Sequence, residues 1–235
     1  MESEIKERFS LLGIMVTESM IEKFRKYYEM MIDYNNNVNL TAITEKNDVY
    51  IKHFLDSVLP YKTIPRNANV CDIGTGAGFP AIPLKIVRPD IKLLLVDCLD
   101  KRVKFLESLV SELQLEDVEI VHARAEDIGR DKNHREFYDV AVSRGVAKLN
   151  TLSEYCLPLV KVGGIMLAYK SVDIDEELDS AINAITELGG TLEEIQKITI
   201  PKTDITRKIV VIKKYDTTPN KYPRGLNKPK LMPIE

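Results

Sequence analysis

Asp72-Ile73-Gly74-Thr75-Gly76-Ala77-Gly78, entered through Asn69-Val70-Cys71 and left through Phe79-Pro80-Ala81-Ile82, decides how the chain is read. An apolar run ends in an acid and three spaced glycines, then gives way to a helical segment. Glycines at such a junction permit a tight turn and let a ligand approach the free N–H groups at the start of a helix. The next apolar run, Lys92 to Asp97, ends in a second acid, 23 residues beyond Gly74. A strand, a glycine turn, a helix and a strand-end acid make the opening unit of a parallel α/β sheet with a ligand crevice at its strand ends.

A carboxylate at Asp97 can accept both hydroxyls of a ribose, which dinucleotides and S-adenosylmethionine share. The dinucleotide fingerprint asks for a further glycine where this chain has Phe79, and here Asp72 stands two residues before the first glycine. A cofactor carrying an ammonium and a carboxylate but no pyrophosphate suits Asp72, Gly74, Gly76 and Gly78 better. Besides an S-adenosylmethionine-dependent methyltransferase, a nicotinamide-dinucleotide enzyme and a relative that keeps only the fold remain open.

Outward from the motif, apolar runs at 69–73, 92–97, 118–122, 138–143 and 164–169 alternate with helical segments at about 79–88, 101–114, 148–161 and 173–189. Two last strands, about 191–200 and 206–214, are joined by too short a turn for a parallel crossover and must pair antiparallel. The expected architecture is α/β, with a mostly parallel seven-stranded sheet carrying one antiparallel strand at its end, the Rossmann-like layout of class I methyltransferases. Before it, Met20, Phe24, Tyr27, Met31 and Tyr34 recur at helical spacing behind Thr17 as N-cap. A polar loop over 35–41 leads to a second helix at 47–60, with no strand signal. Residues 1–62 are thus read as a helical extension and 63–235 as the methyltransferase domain.

With 44% hydrophobic and 29% charged residues, the chain is composed like an ordinary globular protein. Its charged N-terminus and the absence of any membrane-length apolar run predict a cytoplasmic protein. Cys71, Cys98 and Cys156 form no metal or redox spacing, and His53, His122 and His134 form no triad or ligand pattern, so no metal is expected and the histidines are read as packed or solvated. The net charge of −3 hides an asymmetry, because residues 201–235 carry nine Lys or Arg against three acids. Such a basic end is compatible with RNA binding, and equally with a solvated hairpin and tail.

Ala125 and Glu126 follow the third strand where this fold meets an adenine ring, with a helix cap at Asp127 as the alternative reading. Arg144 ends the fourth strand, pointing into the site or serving as a buried ion-pair partner. An Asn-Pro-Pro-Tyr motif and a Pro-Cys pair are both missing, which disfavours exocyclic amines and pyrimidine carbons as methyl acceptors. Together these residues resemble the bacterial 16S ribosomal RNA guanine-N7 methyltransferase family, RsmG or glucose-inhibited division protein B, from about residue 34 to the C-terminus. The similarity rests on Asn39-Leu40-Thr41-Ala42-Ile43, His53-Phe54-Leu55-Asp56-Ser57, Asp72 through Pro83, Lys101-Arg102, Arg124-Ala125-Glu126, Ser143-Arg144 and Tyr222-Pro223-Arg224. Ala81, Asp97-Cys98, Gly145 and Ser171 depart mildly from the family pattern.

The resemblance implies that Gly74, Phe79, Ala125, Glu126 and Arg144 contact S-adenosylmethionine. It also implies methylation of N7 of one guanine in the 530 loop of small-subunit rRNA, by a chain expected to be a monomer. N7 carries a lone pair and no proton, so no general base is needed and none is assigned. Arg144 is expected to orient ligands while paired with a carboxylate. Lys101, Arg102, Lys170, Arg207 and Arg224 are the candidate phosphate contacts. A bulky residue at Gly74 should abolish S-adenosylmethionine binding in calorimetry, and Asp97→Ala should weaken it by about 1–3 kcal/mol. Unchanged binding in both variants would remove the cofactor assignment.

Overall fold

In the computed structural model, which describes residues 2–36 and 38–235, the expected strands form one sheet. They are β1 (Asn69–Ile73), β2 (Lys92–Asp97), β3 (Val118–His122), β4 (Tyr138–Arg144), β5 (Val160–Lys170), β6 (Gly190–Thr199) and β7 (Thr206–Lys214). Their order across the sheet is β3-β2-β1-β4-β5-β7-β6, parallel from β3 to β5, with β7 antiparallel to both neighbours. The antiparallel strand therefore lies one place in from the edge. Ile209, Val210, Val211 and Ile212 explain why: all four are buried, on both faces, whereas β6 alternates with exposed polar side chains and tolerates solvent along its free side.

Successive residues of each strand feed two apolar layers. Leu93 and Leu95 join Val70, Val142 and Val211 on one face, while Leu94 and Val96 join Cys71, Ile73 and Val210 on the other. The second layer is covered by the helices Leu149–Cys156 and Ile182–Glu187. The segment expected as one helix over 148–161 ends early in a 3-10 turn, Leu157–Leu159, because Pro158 has no N–H to offer and β5 begins at Val160.

The first layer is covered by the N-terminal helices. Thr17 caps Glu18–Asn35 by accepting from the Met20 N–H at 3.2 Å, and the helix buries Ile21, Phe24, Tyr27 and Met31. The polar loop follows, and its Asn37 lies outside the described residues. The expected second helix is interrupted by a π-helical turn over Tyr50–Leu55, between Lys46–Val49 and Asp56–Val58. Fully buried Phe54 is the hub of this layer, its ring 5.0 Å from Phe24, 5.1 Å from Tyr27 and 4.9 Å from Tyr50. A helix not anticipated, Glu2–Leu11, adds Phe9 at 5.2 Å from Phe24. Its Arg8 donates to the Pro201 carbonyl in the β6–β7 turn.

Strand order reverses between β1 and β4, since the chain leaves β1 toward β2 on one side and later returns to β4 on the other. Such a reversal opens a crevice at the carboxyl ends of the strands. Phe54→Ala should lower the unfolding free energy by about 3–5 kcal/mol, the range for removing a buried aromatic, with little change in the urea slope.

Candidate functional site

The crevice is framed by the glycine turn after β1. Asp72, fully buried, accepts from the Thr75 hydroxyl at 2.8 Å and from the Ala81 N–H at 3.2 Å through Oδ2. Its Oδ1 has no hydrogen-bond partner among the described residues, and burial pushes its pKa up to about 7. The Gly76 N–H donates to Asp97 Oδ2 at 2.9 Å, and the Tyr27 hydroxyl donates to the Ala77 carbonyl at 2.5 Å. Gly76 takes φ +62°, a left-handed conformation that favours glycine, and a Cβ there would meet only the Gly74 carbonyl oxygen at 4.0 Å. Gly78 is needed for the opposite reason, because at φ +99° a Cβ would lie 2.6 Å from the Tyr27 hydroxyl.

A cavity of about 310 Å3 opens beside this turn, at the small end of the range for ligand pockets. Gly74, Asp97, Ala125 and Glu126 line it, as does Arg102. Asp97, 3% exposed, also accepts from the Leu99 N–H at 3.0 Å and lies 3.4 Å from Arg102. Glu126, which lines the cavity, is buried, and its Oε1 has no hydrogen-bond partner among the described residues. Arg124, not Asp127, occupies the cap position of the short helix Ala125–Ile128.

Asp72, Gly76, Gly78, Phe79 and Arg144 stand behind or beside the cavity and do not line it. Phe79 and Arg144 belong to a second cluster. The Phe79 ring stacks on His53 at 4.5 Å and on Tyr27 at 5.3 Å, with the Arg144 guanidinium 5.0 Å from its centroid. Arg144 meets the expected carboxylate in Asp56, 2.7 Å from Nη1, and Arg207 Nε lies 2.9 Å from the other oxygen of that acid. Arg144 Nη2 lies 3.2 Å from His53 Nδ1, and His53 Nε2 lies 2.9 Å from the Thr41 hydroxyl. A guanidinium can only donate, so Nδ1 is the acceptor and the proton sits on Nε2. Burial, helped by Arg144, lowers the His53 pKa to about 4.

His53 is the residue that spacing alone undervalued: its ring nitrogens are both engaged beside the glycine turn. Its only signal was its place in the His53-Phe54-Leu55-Asp56-Ser57 segment. Of the candidate phosphate contacts, Lys170 pairs with Glu177 at 2.5 Å and Arg224 forks onto buried Glu154 at 2.7 Å. Exposed Lys101 alone among the five makes no ion pair within the described residues. Among the described residues no group of His, Cys, Asp and Glu is arranged to hold a metal ion, and no helix is long and apolar enough to cross a membrane.

Comparison with known proteins matches residues 20–209 to the GidB family, rRNA small subunit methyltransferase G. The ribosomal RNA small subunit methyltransferase G of Alkaliphilus oremlandii is 49% identical over 233 residues, covering 98% of both chains. That of Desulforamulus reducens is 50% identical over 221 residues, covering 93% of this chain and 92% of its own. Among solved structures, Burkholderia thailandensis 1,6-didemethyltoxoflavin-N1-methyltransferase superposes with a TM-score of 0.54 at 14% identity, over 79% of this chain and 88% of that one. M. jannaschii TYW2 in complex with AdoMet gives 0.51 at 16% identity, over 67% and 74%. At such identities these likenesses show the shared class I methyltransferase fold.

Asp72 and His53 titrate in opposition. Between its ordinary 3.8 and about 7, unfolded Asp72 has lost a proton that the folded chain keeps, so this group makes stability fall as pH rises. Between about 4 and its ordinary 6.5, unfolded His53 carries a proton that the folded ring lacks, so stability rises with pH. Each slope is at most about 1.4 kcal/mol per pH unit. Relative to the native chain, Asp72→Asn should tilt the denaturation free energy upward with pH between about 4.5 and 6.5, and His53→Phe should tilt it downward. Parallel profiles for the two variants would contradict these protonation states.

Proposed function

Because the chain belongs to the GidB family of rRNA small subunit methyltransferase G, we propose that it transfers the methyl group of S-adenosylmethionine to N7 of one guanine in the 530 loop of 16S ribosomal RNA. The observation that carries the cofactor half is the cavity that unites Gly74, Asp97 and the unpartnered Glu126 oxygen. The glycine turn, reaching the cavity at Gly74, and an unused buried acceptor suit a ligand with an amino-acid end and an adenine amine. The turn Gly74–Gly78, knotted from beneath by Asp72, would hold the amino-acid end, Asp97 the ribose, and Ala125 with Glu126 the adenine, with Phe79 and Arg144 bracing the turn. Residues 1–62 are then an extension that fixes this turn from outside, and 63–235 the methyltransferase domain.

S-adenosylmethionine supplies a methyl group already activated on a sulfonium. Guanine N7 offers a lone pair and no proton, so the chain has to hold two atoms in line and exclude water. Neither His53 nor Asp72 is free to act as a base. His53 is neutral, with one nitrogen accepting from Arg144 and the other donating to Thr41, and Asp72 is sealed beneath the turn. Asp56 balances the Arg144 charge, which limits repulsion of the positive 7-methylguanine that forms.

For RNA, Lys101 on the exposed start of the helix Asp100–Glu112 is the readiest phosphate contact, with Arg102 beside it at the cavity. Lys170, Arg207 and Arg224 could reach phosphate only by sharing or leaving their carboxylates. A single chain without metal suffices for this reaction, carried out in the cytoplasm where ribosomal subunits assemble.

The test is to incubate the chain with methyl-labelled S-adenosylmethionine and ribosomal RNA or small subunits lacking the modification. Label should enter one guanosine, and the RNA should break there after borohydride reduction and aniline treatment. Single-turnover rates should be nearly flat from about pH 6 to 9, since no base titrates. A labelled product that resists cleavage would mean a different acceptor atom, and label entering only protein or small molecules would remove the RNA assignment.

A further inference from the structure

One wall of the cavity comes from a segment beyond the sheet. After Lys214 the chain is fastened by side chains of the turn that precedes β4 and of the helix Leu149–Cys156. Arg135 donates to the Thr218 carbonyl at 2.7 Å and the Tyr222 carbonyl at 2.8 Å, and Arg130 to the Pro223 carbonyl at 2.8 Å. Glu154 accepts from the Arg224 N–H at 2.6 Å, and the Thr151 hydroxyl donates to the Pro229 carbonyl at 2.9 Å. Between the anchors at 224 and 229 the chain reverses through two left-handed residues, Leu226 at φ +61° and Asn227 at φ +56°. Leu226 is 88% exposed, while Asn227 lines the cavity at its mouth.

The orientation of the Asn227 amide follows from its one partner. Arg124 Nη1 lies 2.7 Å from Asn227 Oδ1. Arginine has no acceptor, so the amide oxygen must face Arg124 and the NH2 group the other way. That NH2 group has no acceptor among the described residues. Asn227 is thus joined to Arg124, the residue that directly precedes Ala125 and Glu126 in the cavity lining.

We propose that Asn227 is a cofactor-contacting residue, its amide nitrogen donating to the adenosine end of S-adenosylmethionine. The inference rests on the cofactor reading above and extends it to a segment after residue 209, where the family match ends. The chemistry is complementary: a carboxylate at Glu126 accepts from an exocyclic amine, and a donor at Asn227 answers the ring-nitrogen lone pairs of adenine. Its position at a solvent-exposed mouth limits the contribution to that of one ordinary hydrogen bond.

The experiment is calorimetry on the full chain with S-adenosylmethionine and with 5′-methylthioadenosine, which lacks the amino-acid end. Asn227→Gly keeps the left-handed turn and removes the side chain. Asn227→Asp keeps an acceptor for Arg124 and removes the donor. Both should weaken both ligands by about three- to tenfold, the span of one hydrogen bond, while Leu226→Ala stays within about twofold. Thermal unfolding of the unliganded variants should match the native chain, and if the glycine variant does not fold, the aspartate variant decides alone. Native affinity in Asn227→Asp or Asn227→Gly would overturn the proposal, leaving Asn227 as a tether for Arg124. A native chain that binds neither ligand would overturn the cofactor reading and this inference with it, an outcome distinct from variants that bind as well as the native chain.

Discussion

The architecture around the crevice depends on one buried carboxylate. Asp72 Oδ2 joins the Thr75 hydroxyl to the Ala81 N–H, and so couples the end of β1, the glycine turn and the helix Ala81–Val87 in a single knot. Two further elements hold the same turn from outside, Asp97 through the Gly76 N–H and Tyr27 through the Ala77 carbonyl. Three side chains thus fix the turn and the start of the helix, at Thr75, Gly76, Ala77 and Ala81. A turn held this way keeps its N–H groups aimed without paying ordering entropy each time a ligand arrives. The raised pKa of Asp72 shows the cost of placing that knot where water cannot reach it.

The parallel strands were legible because strands buried on both faces must be continuous apolar runs between polar turns, and Leu93-Leu94-Leu95-Val96 could hardly be anything else. The place of β7 was not legible, since pairing between β5 and β6 is a choice made across the sheet by burial, and no local pattern encodes it. The helix Glu2–Leu11 escaped notice because only Ile5 and Phe9, one turn apart, face the core amid charged neighbours. The π-helical turn hid in a pattern whose apolar spacing still suits an α-helix. Of the site, the glycine turn and Asp97 could be read directly, because both are fixed by short-range backbone geometry. The His53, Arg144 and Asp56 cluster could not, as its members meet only when the extension folds onto β4.

Charge was the least legible property. Six of the nine cations in residues 201–235 meet carboxylates far along the chain: Lys202 with Glu7, Arg207 with Asp56, Lys208 with Asp175, Lys214 with Glu136, Lys221 with Glu187 and Arg224 with Glu154. The apparent basic tail is largely half of a set of ion pairs whose acids belong to earlier elements. Its charge acts first as a fastening, and only Lys213, Lys228 and Lys230 fall outside that set. A tally of residues cannot distinguish a field projected into solvent from one cancelled at contact distance.

The order in which the chain supplies its parts has a consequence for synthesis. Every strand is in hand by Lys214, and the glycine turn, Asp97 and Glu126 long before, yet Asn227 and the anchors around it come afterward. A ribosome that stalls, or a reading frame that shifts, between codons 215 and 226 would release a polypeptide with a whole sheet and an incomplete pocket. A product that ends before Thr218 would also leave buried Glu154 without Arg224, and Arg130 and Arg135 without the carbonyls of Thr218, Tyr222 and Pro223. Late truncation is therefore felt at the ligand site and in the stability of the helical layer together, although the lost codons encode no strand.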